Sequence, residues 1–333
     1  LGNTTTMSYT HTTGGQVGTL TSTSADPDGS GPLTPLTTTT TLDTRRGLPT
    51  KRVEPGGQTT EATYDALGRI TAVWDPGRAK SSSASTTYAY AVNKTTGLTT
   101  VTTNTLLPNG SSYATSTSLL DSFLRARQTQ SPAAISGRMI TDTRYDSRGN
   151  AVLVDTYYNA SAPGIALVQP ANRPDIPTSN RYTFDFAARV TKGAFYSGEV
   201  FKWQTLTSHE GDRVTVTPPT GATPTTTVND IFGQSTELRQ HLGTTTTAPA
   251  ATTQYSYDPA GNLVSMTDDK GNTWSYTWDL QGNRLTADDP DKGQTAMTYD
   301  LVGQVTSSTD ARGITVKYFY DNLGRQTKTT KAD

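Results

Sequence analysis

Hydrophobic and polar residues alternate along much of this chain with a period of two. Around residues 273–278, Trp274, Tyr276 and Trp278 share one parity and Thr273, Ser275 and Thr277 the other. Ile314, Val316, Tyr318 and Tyr320 repeat the pattern. A period of two predicts β-strands buried on one face. Residues 86–92 (TTYAYAV), 97–103 (GLTTVTT) and 212–217 (DRVTVT) read the same way. No stretch carries a convincing helical period. Turn signals interrupt the alternation every ten or eleven residues, so the predicted strands are short and joined by tight turns.

The interruptions are themselves a repeat. Asp258, Asp279, Asp300 and Asp321 lie 21 residues apart, each after an aromatic residue (Tyr257, Trp278, Tyr299, Tyr320). Each is followed three residues later by glycine: Gly261, Gly282, Gly303 and Gly324. The same phrase occurs at Tyr64, Asp65 and Gly68 and at Tyr145, Asp146 and Gly149; Asp230 and Gly233 keep it without the aromatic. Weaker copies begin at Leu42, Leu120 and Phe184. A half-period echo appears at residues 268–271, 290–293 and 310–313.

Asp-x-x-Gly is the chemistry of a type I turn. Aspartate suits the first position, proline the second (Pro259) and glycine the fourth. The carboxylate accepts backbone N–H groups inside the turn, and the glycine supplies the left-handed residue of a three-residue hairpin loop with its bulge. The expected positions are a positive φ at Gly261 and an Asp258 carboxylate bonded within its own turn. Each unit is then two strands and two turns, and successive units extend an antiparallel meander. The expected fold class is all-β: a repetitive antiparallel hairpin meander forming a curved or spiral sheet.

Composition agrees. The 333 residues include 67 threonines, 29 glycines and 18 prolines, and only 32% are hydrophobic. Threonine favours strands, while glycine and proline favour turns. A net charge of -1 and the absence of a basic stripe argue against nucleic acid. No apolar run is long enough for a membrane span, and the absence of cysteine excludes disulfides. The chain is expected to be one array and a piece of a longer protein. It divides into an irregular start (1–41), repeats (42–158), a Pro-rich insertion (159–180), degenerate repeats (181–242), a Thr/Pro/Ala-rich insertion (243–253) and regular repeats (254–333).

Tyr-Asp-x-x-Gly-Arg/Asn at this spacing, with the intervening Asp-x-x-Gly, resembles the YD repeats of the Rhs superfamily. That family includes bacterial polymorphic toxins, wall-associated proteins, the B and C components of insecticidal toxin complexes, and teneurins. The resemblance covers nearly all of the chain from about Leu42. It implies a spiral β-sheet that forms part of a barrel-like shell. It also implies a secreted or cell-surface location and, in toxin members, enclosure of a C-terminal toxic domain. The implied partners are flanking repeats and domains of the same longer chain, with an enclosed toxin. In toxin members a cleavage segment containing Asp-Pro-x-Gly ends the repeats. Here Asp258 to Gly261 lies inside an ordinary repeat with more repeats after it, so no catalytic role passes to Asp258.

Candidate chemistry is sparse, and no catalytic, cofactor or metal residue is assigned. His11, His209 and His241 lack a second ligand at metal spacing and read as surface histidines. Residues 26–30 hint at a calcium loop, but position twelve from Asp26 is Thr37 rather than glutamate. Asp288, Asp289 and Asp291 fit a turn better than a metal site. No nucleophile-elbow, Walker or His-Glu-x-x-His pattern is present, and an enzyme is not expected. Cell-wall or glycan adhesion is the alternative reading, with Tyr157 and Tyr158 as its candidate contacts. The sequons at Asn3, Asn93, Asn109 and Asn159 have meaning only in a glycosylating host.

Overall fold

The computed structural model describes residues 4–27 and 33–332. Their regular elements are 26 β-strands and one 3-10 turn, Arg173–Asp175. The fold is all-β and antiparallel, as the alternation predicts. The start of the chain is more regular than expected, with strands at Thr6–His11, Val17–Thr23 and Thr37–Leu42.

The chain divides into two compact units, Leu1–Arg181 with Phe195–Lys202, and Tyr182–Ala194 with Trp203–Asp333. In the first, the strands from Thr6–His11 to Thr178–Phe184 each pair antiparallel with their sequence neighbours. In the second, the same meander runs from Val200–Glu210 to Gln326–Ala332. The register shifts at the aromatic of every full repeat copy: Tyr64, Tyr145, Tyr257, Trp278, Tyr299 and Tyr320. An extra residue opposite each of these positions is the bulge expected of a three-residue loop.

Threonine has a specific place in these ladders. Directly opposed threonines share a hydroxyl bond at Thr215–Thr226 (3.0 Å), Thr267–Thr273 (3.0 Å), Thr277–Thr286 (2.6 Å) and Thr309–Thr315 (2.9 Å). Such cross-strand pairs contribute roughly 0.2–1 kcal/mol each. They fix register on faces that bury little apolar area.

The first unit has one region where the sheet face is closed over. Cross-strand register lines up Leu119, Gln128, Asp142, Asp155 and Ser179. All five are at most 1% exposed. The next row holds Thr117, Gln130, Ile140 and Tyr157. Residues from the Pro-rich insertion cover these rows: Ile176 is fully buried with Ile140 and Tyr157, and Val168 packs against the three.

Candidate functional site

Two arrangements carry the candidate chemistry: the repeated turns and the covered face. The turns follow one plan. At Asp258, Oδ1 accepts the N–H groups of Ala260 (2.9 Å) and Asn262 (2.8 Å), and Oδ2 accepts the Asn262 side-chain amide (2.9 Å). The Gly261 N–H closes the turn on the Asp258 carbonyl at 3.0 Å, and Gly261 has φ of 90°. Asp146 and Asp279 repeat this with Asn150 and Asn283. Asp65 and Asp321 use Arg69 and Arg325, whose guanidinium groups ion-pair with the same carboxylate at 2.7 Å. Glutamine at this place bonds to another turn instead. Gln234, after Asp230, reaches the Gly261 carbonyl (3.1 Å), and Gln304, after Asp300, reaches that of Gly324 (3.2 Å). Those two glutamines tie one turn to the next.

The left-handed position appears at Gly68, Gly149, Gly233, Gly282, Gly303 and Gly324 as well. It survives where glycine is lost. Leu124 and Ala188, in two of the three weaker copies, both have φ of 60°. The aspartates of those copies, Asp121 and Asp185, still bind the backbone at their own fourth-following residue and ion-pair with Arg125 and Arg189. In the half-period echo at 290–293, the capping carboxylate is Asp289, which accepts the N–H groups of Asp291 and Lys292.

The aromatic before each aspartate does more than pack. Tyr257, Tyr299 and Tyr320 donate their hydroxyls to the carbonyls of Ser235, Arg284 and Val305, each at 2.9 Å. Tyr64 reaches Pro49 (2.8 Å) and Tyr145 reaches Ala126 (2.9 Å). Trp278 does the same through its indole N–H, to Leu263 at 2.8 Å. Each acceptor lies at or just after the start of the strand leaving the preceding turn. The donor, rather than the phenol as such, is what these positions require. Arginines add to the contact: Arg69 lies 4.3 Å from the Tyr90 ring centre, and Arg125 4.3 Å from that of Tyr145.

The carboxyls of Asp65, Asp121, Asp146, Asp258, Asp279 and Asp321 sit below their ordinary pKa. At Asp146, Asp258 and Asp279 the side-chain amide of the following asparagine is the main cause, then its backbone N–H, against a smaller push from desolvation. At Asp65, Asp121 and Asp321 desolvation is the largest single influence and pushes upward. The combined hydrogen bonds and charge of Arg69, Arg125 and Arg325 outweigh it.

The covered face rests on two glutamines that use all their hydrogen-bonding capacity. Gln128 donates to Asp142 Oδ1 (3.1 Å) and the Val168 carbonyl (2.8 Å), and its oxygen accepts the Val168 N–H (2.9 Å). Gln130 donates to Gln128 Oε1 and the Ala166 carbonyl, both at 2.8 Å. Its oxygen accepts Arg138 (2.6 Å) and the Gly164 N–H (2.8 Å). The side chains therefore bind residues 164–168 as a neighbouring strand would. Arg127 pairs with Asp142. Arg173 bridges Asp155 (2.5 Å) and Glu199 (2.9 Å), and Arg181 also holds Glu199 (2.6 Å).

Several expectations change here. Tyr157 is 3% exposed and donates its hydroxyl to the Val168 carbonyl at 2.7 Å. Burial, then the Asp142 and Asp155 charges, push its phenol up to about 12. It offers no platform to a glycan; Tyr158 is exposed. His241 is not a surface histidine: it is 6% exposed, with Nε2 3.1 Å from the Thr226 hydroxyl and Nδ1 3.2 Å from the Ala248 carbonyl. His11 and His209 lie in strands at or near the surface. The hinted calcium loop runs into residues 28–32, and with Asn3 these lie outside the described residues. Among the described residues no group of three or more His, Asp or Glu side chains gathers as a metal site. No helix among them is long and apolar enough to cross a membrane.

The family model of the RHS repeat matches residues 232–273, 257–294 and 299–333. The match covers the regular hairpins of the second unit and supports the Rhs/YD-repeat superfamily. No curated protein matches the sequence. Among solved structures, the chain is similar to TcdB2-TccC3 over 99% of its own length, with a TM-score of 0.74 and 16% identity. It is similar to TcdB2-TccC3 without the hypervariable C-terminal region (TM-score 0.72, 13% identity, 99% of this chain and 23% of that one). It also resembles the Photorhabdus luminescens Tc holotoxin pore (TM-score 0.69, 14% identity, 99% and 23%). At these identities the likeness is one of fold. The chain spans 19% of the TcdB2-TccC3 chain.

Proposed function

We propose that this chain is a structural stretch of RHS repeats from a secreted bacterial Rhs-type protein, and that the longer protein uses it as part of a wall around a C-terminal toxin domain. The turns, with their aspartates and glycines from Asp65 to Gly324, are the elements that build that wall. The observation that carries the reading is the link between hairpins: in each full repeat copy the aromatic donates to the backbone of the hairpin before it. Such a chain of nearest-neighbour contacts extends a sheet indefinitely and needs no ligand. The fold match along 99% of the chain to TcdB2-TccC3 supports it. The role is enclosure, and the repeats are not an enzyme.

The wall-glycan alternative keeps Tyr158 but loses Tyr157 as a contact. Limited proteolysis of the full-length protein tests the reading. A downstream domain should resist protease until the repeats unfold, and both should become sensitive together. A downstream domain digested while the repeats stay folded would refute enclosure.

A further inference from the structure

Consecutive strands of the meander run in opposite directions, so alternate turns fall on the same rim of the sheet. Along residues 230–314 of the second unit, one rim is made by the full repeat turns that open at Asp230, Asp258, Asp279 and Asp300. Their central positions hold Ile231 and Phe232, Pro259 and Ala260, Leu280 and Gln281, and Leu301 and Val302. Ile231, Phe232, Leu280, Leu301 and Val302 are each at least 70% exposed. The echo turns on the opposite rim carry Asp269 and Lys270, Asp291 and Lys292, and Ala311 and Arg312 instead. Leu242, beside the insertion at 243–253, is the exposed apolar exception there. The turns do not need the apolar side chains, since the aspartate and glycine make the closing bonds. A row of exposed apolar groups marks an interaction surface.

We propose that this rim is a self-association surface, through which two copies of the chain pair rim to rim about a twofold axis. Period selects the occupant. Strands about 4.8 Å apart set the turns of one rim about 10 Å apart, and a second copy has the same spacing by construction. Shape agrees. With the axis between the Asp258 and Asp279 turns, Ile231 and Phe232 meet the partner's Leu301 and Val302. Leu280 then meets the small residues of the partner's Asp258 turn, as an isologous contact requires. Area agrees too: five side chains at about 100 Å² each give about 1,000 Å² for the pair, the lower end of a specific interface. Charge disfavours an anionic lipid surface, which attracts basic segments: these four turns hold four aspartates and no lysine or arginine. The pairing rests on the geometry of the turns and does not depend on the enclosure reading.

Sedimentation equilibrium of the 333-residue chain tests this. A reversible monomer–dimer equilibrium is expected. Leu280→Ser should weaken it at least about tenfold, because the twofold axis removes the buried leucine twice. Leu280 is fully exposed, so the variant keeps the fold of the monomer. Lys270→Ser, on the opposite rim, should leave the dimer within about twofold. The register is read by cross-linking, since the chain has no cysteine of its own. Under mild oxidation, an equimolar mixture of Ala260→Cys and Gln281→Cys chains should give a disulfide-linked dimer that joins the two variants. Either variant alone should give far less. A chain that stays monomeric up to about 1 mM overturns the proposal. So does a dimer that survives Leu280→Ser, which would point to pairing of edge strands such as Thr6–His11. Equal cross-linking in the mixture and in the single variants overturns it as well. Flotation of monomeric chain with phosphatidylcholine vesicles, lost in Leu280→Ser, would give the rim to a membrane and overturn it too.

Discussion

At Gly233 an added Cβ would meet nothing within 4 Å, yet φ is 81°. Gly233→Ala is therefore a test of backbone strain alone. It should lower stability by about 1 kcal/mol, read as the urea midpoint, because a Cβ in the left-handed region crowds the next carbonyl. Ala188 already bears that strain at φ of 60°. Ala188→Gly should raise the midpoint, by about 0.5 kcal/mol, since the gain is partly offset by the freer unfolded glycine. A loss at Ala188 would mean that the left-handed conformation is not what glycine supplies. The two central residues of each turn bear no such constraint. Leu280 is fully exposed and Ile231 is 93% exposed. Leu280→Ser should leave stability within about 0.5 kcal/mol.

A turn is more than its glycine, and its carboxylate makes the elements sensitive to acid. The folded pKa values of Asp65, Asp121, Asp146, Asp258, Asp279 and Asp321 lie below their unfolded ones. The unfolded chain then binds more protons in the acid range, so stability rises with pH there. Their contribution is fully present above the unfolded value of about 3.9 and is lost as pH falls through the lower folded values. Urea midpoints should be flat from neutral pH down to about 5 and should fall steeply below 4. Asp258→Asn should blunt part of that fall; an unchanged acid slope would mean that the turn carboxylates are not responsible. Between elements, Tyr320→Phe removes the bond to the Val305 carbonyl and should cost about 1 kcal/mol. The turns themselves were legible in the sequence, because Asp-x-x-Gly is local chemistry at a fixed spacing. The hydroxyl links were not, because Tyr320 and Val305 meet only after two strands and a turn have folded. Trp278 in the place of tyrosine was the available hint, as it keeps an N–H donor.

Across the molecule, period-two alternation was enough to predict an antiparallel all-β meander, but not which faces close. Residues 127–131 (RQTQS) are all polar, so a period of two marks no buried face there. Gln128 and Gln130 are instead 1% exposed, because residues 164–168 satisfy them. That contact spans 34 to 40 residues, and no local pattern encodes it. It gives the first unit a core that the second obtains only in part. In the second, the strands Leu263–Thr267 and Val305–Thr309 are half-buried at every position. Resistance to opening follows from contacts that must break together. Amides in Ala126–Pro132, Arg138–Tyr145 and Ala151–Asn159 should therefore exchange hydrogen most slowly in the chain. Those in Leu263–Thr267 and Val305–Thr309 should exchange faster, through hairpin-by-hairpin opening. Gln130→Ala leaves the Gly164 N–H, the Ala166 carbonyl and a buried Arg138 contact unpaired, at a cost of about 2–3 kcal/mol. Its faster exchange should be confined to the strands around the covered face. Equal acceleration at Val305–Thr309 would show that the buried glutamines govern the whole chain, and the nearest-neighbour account of the repeats would fail.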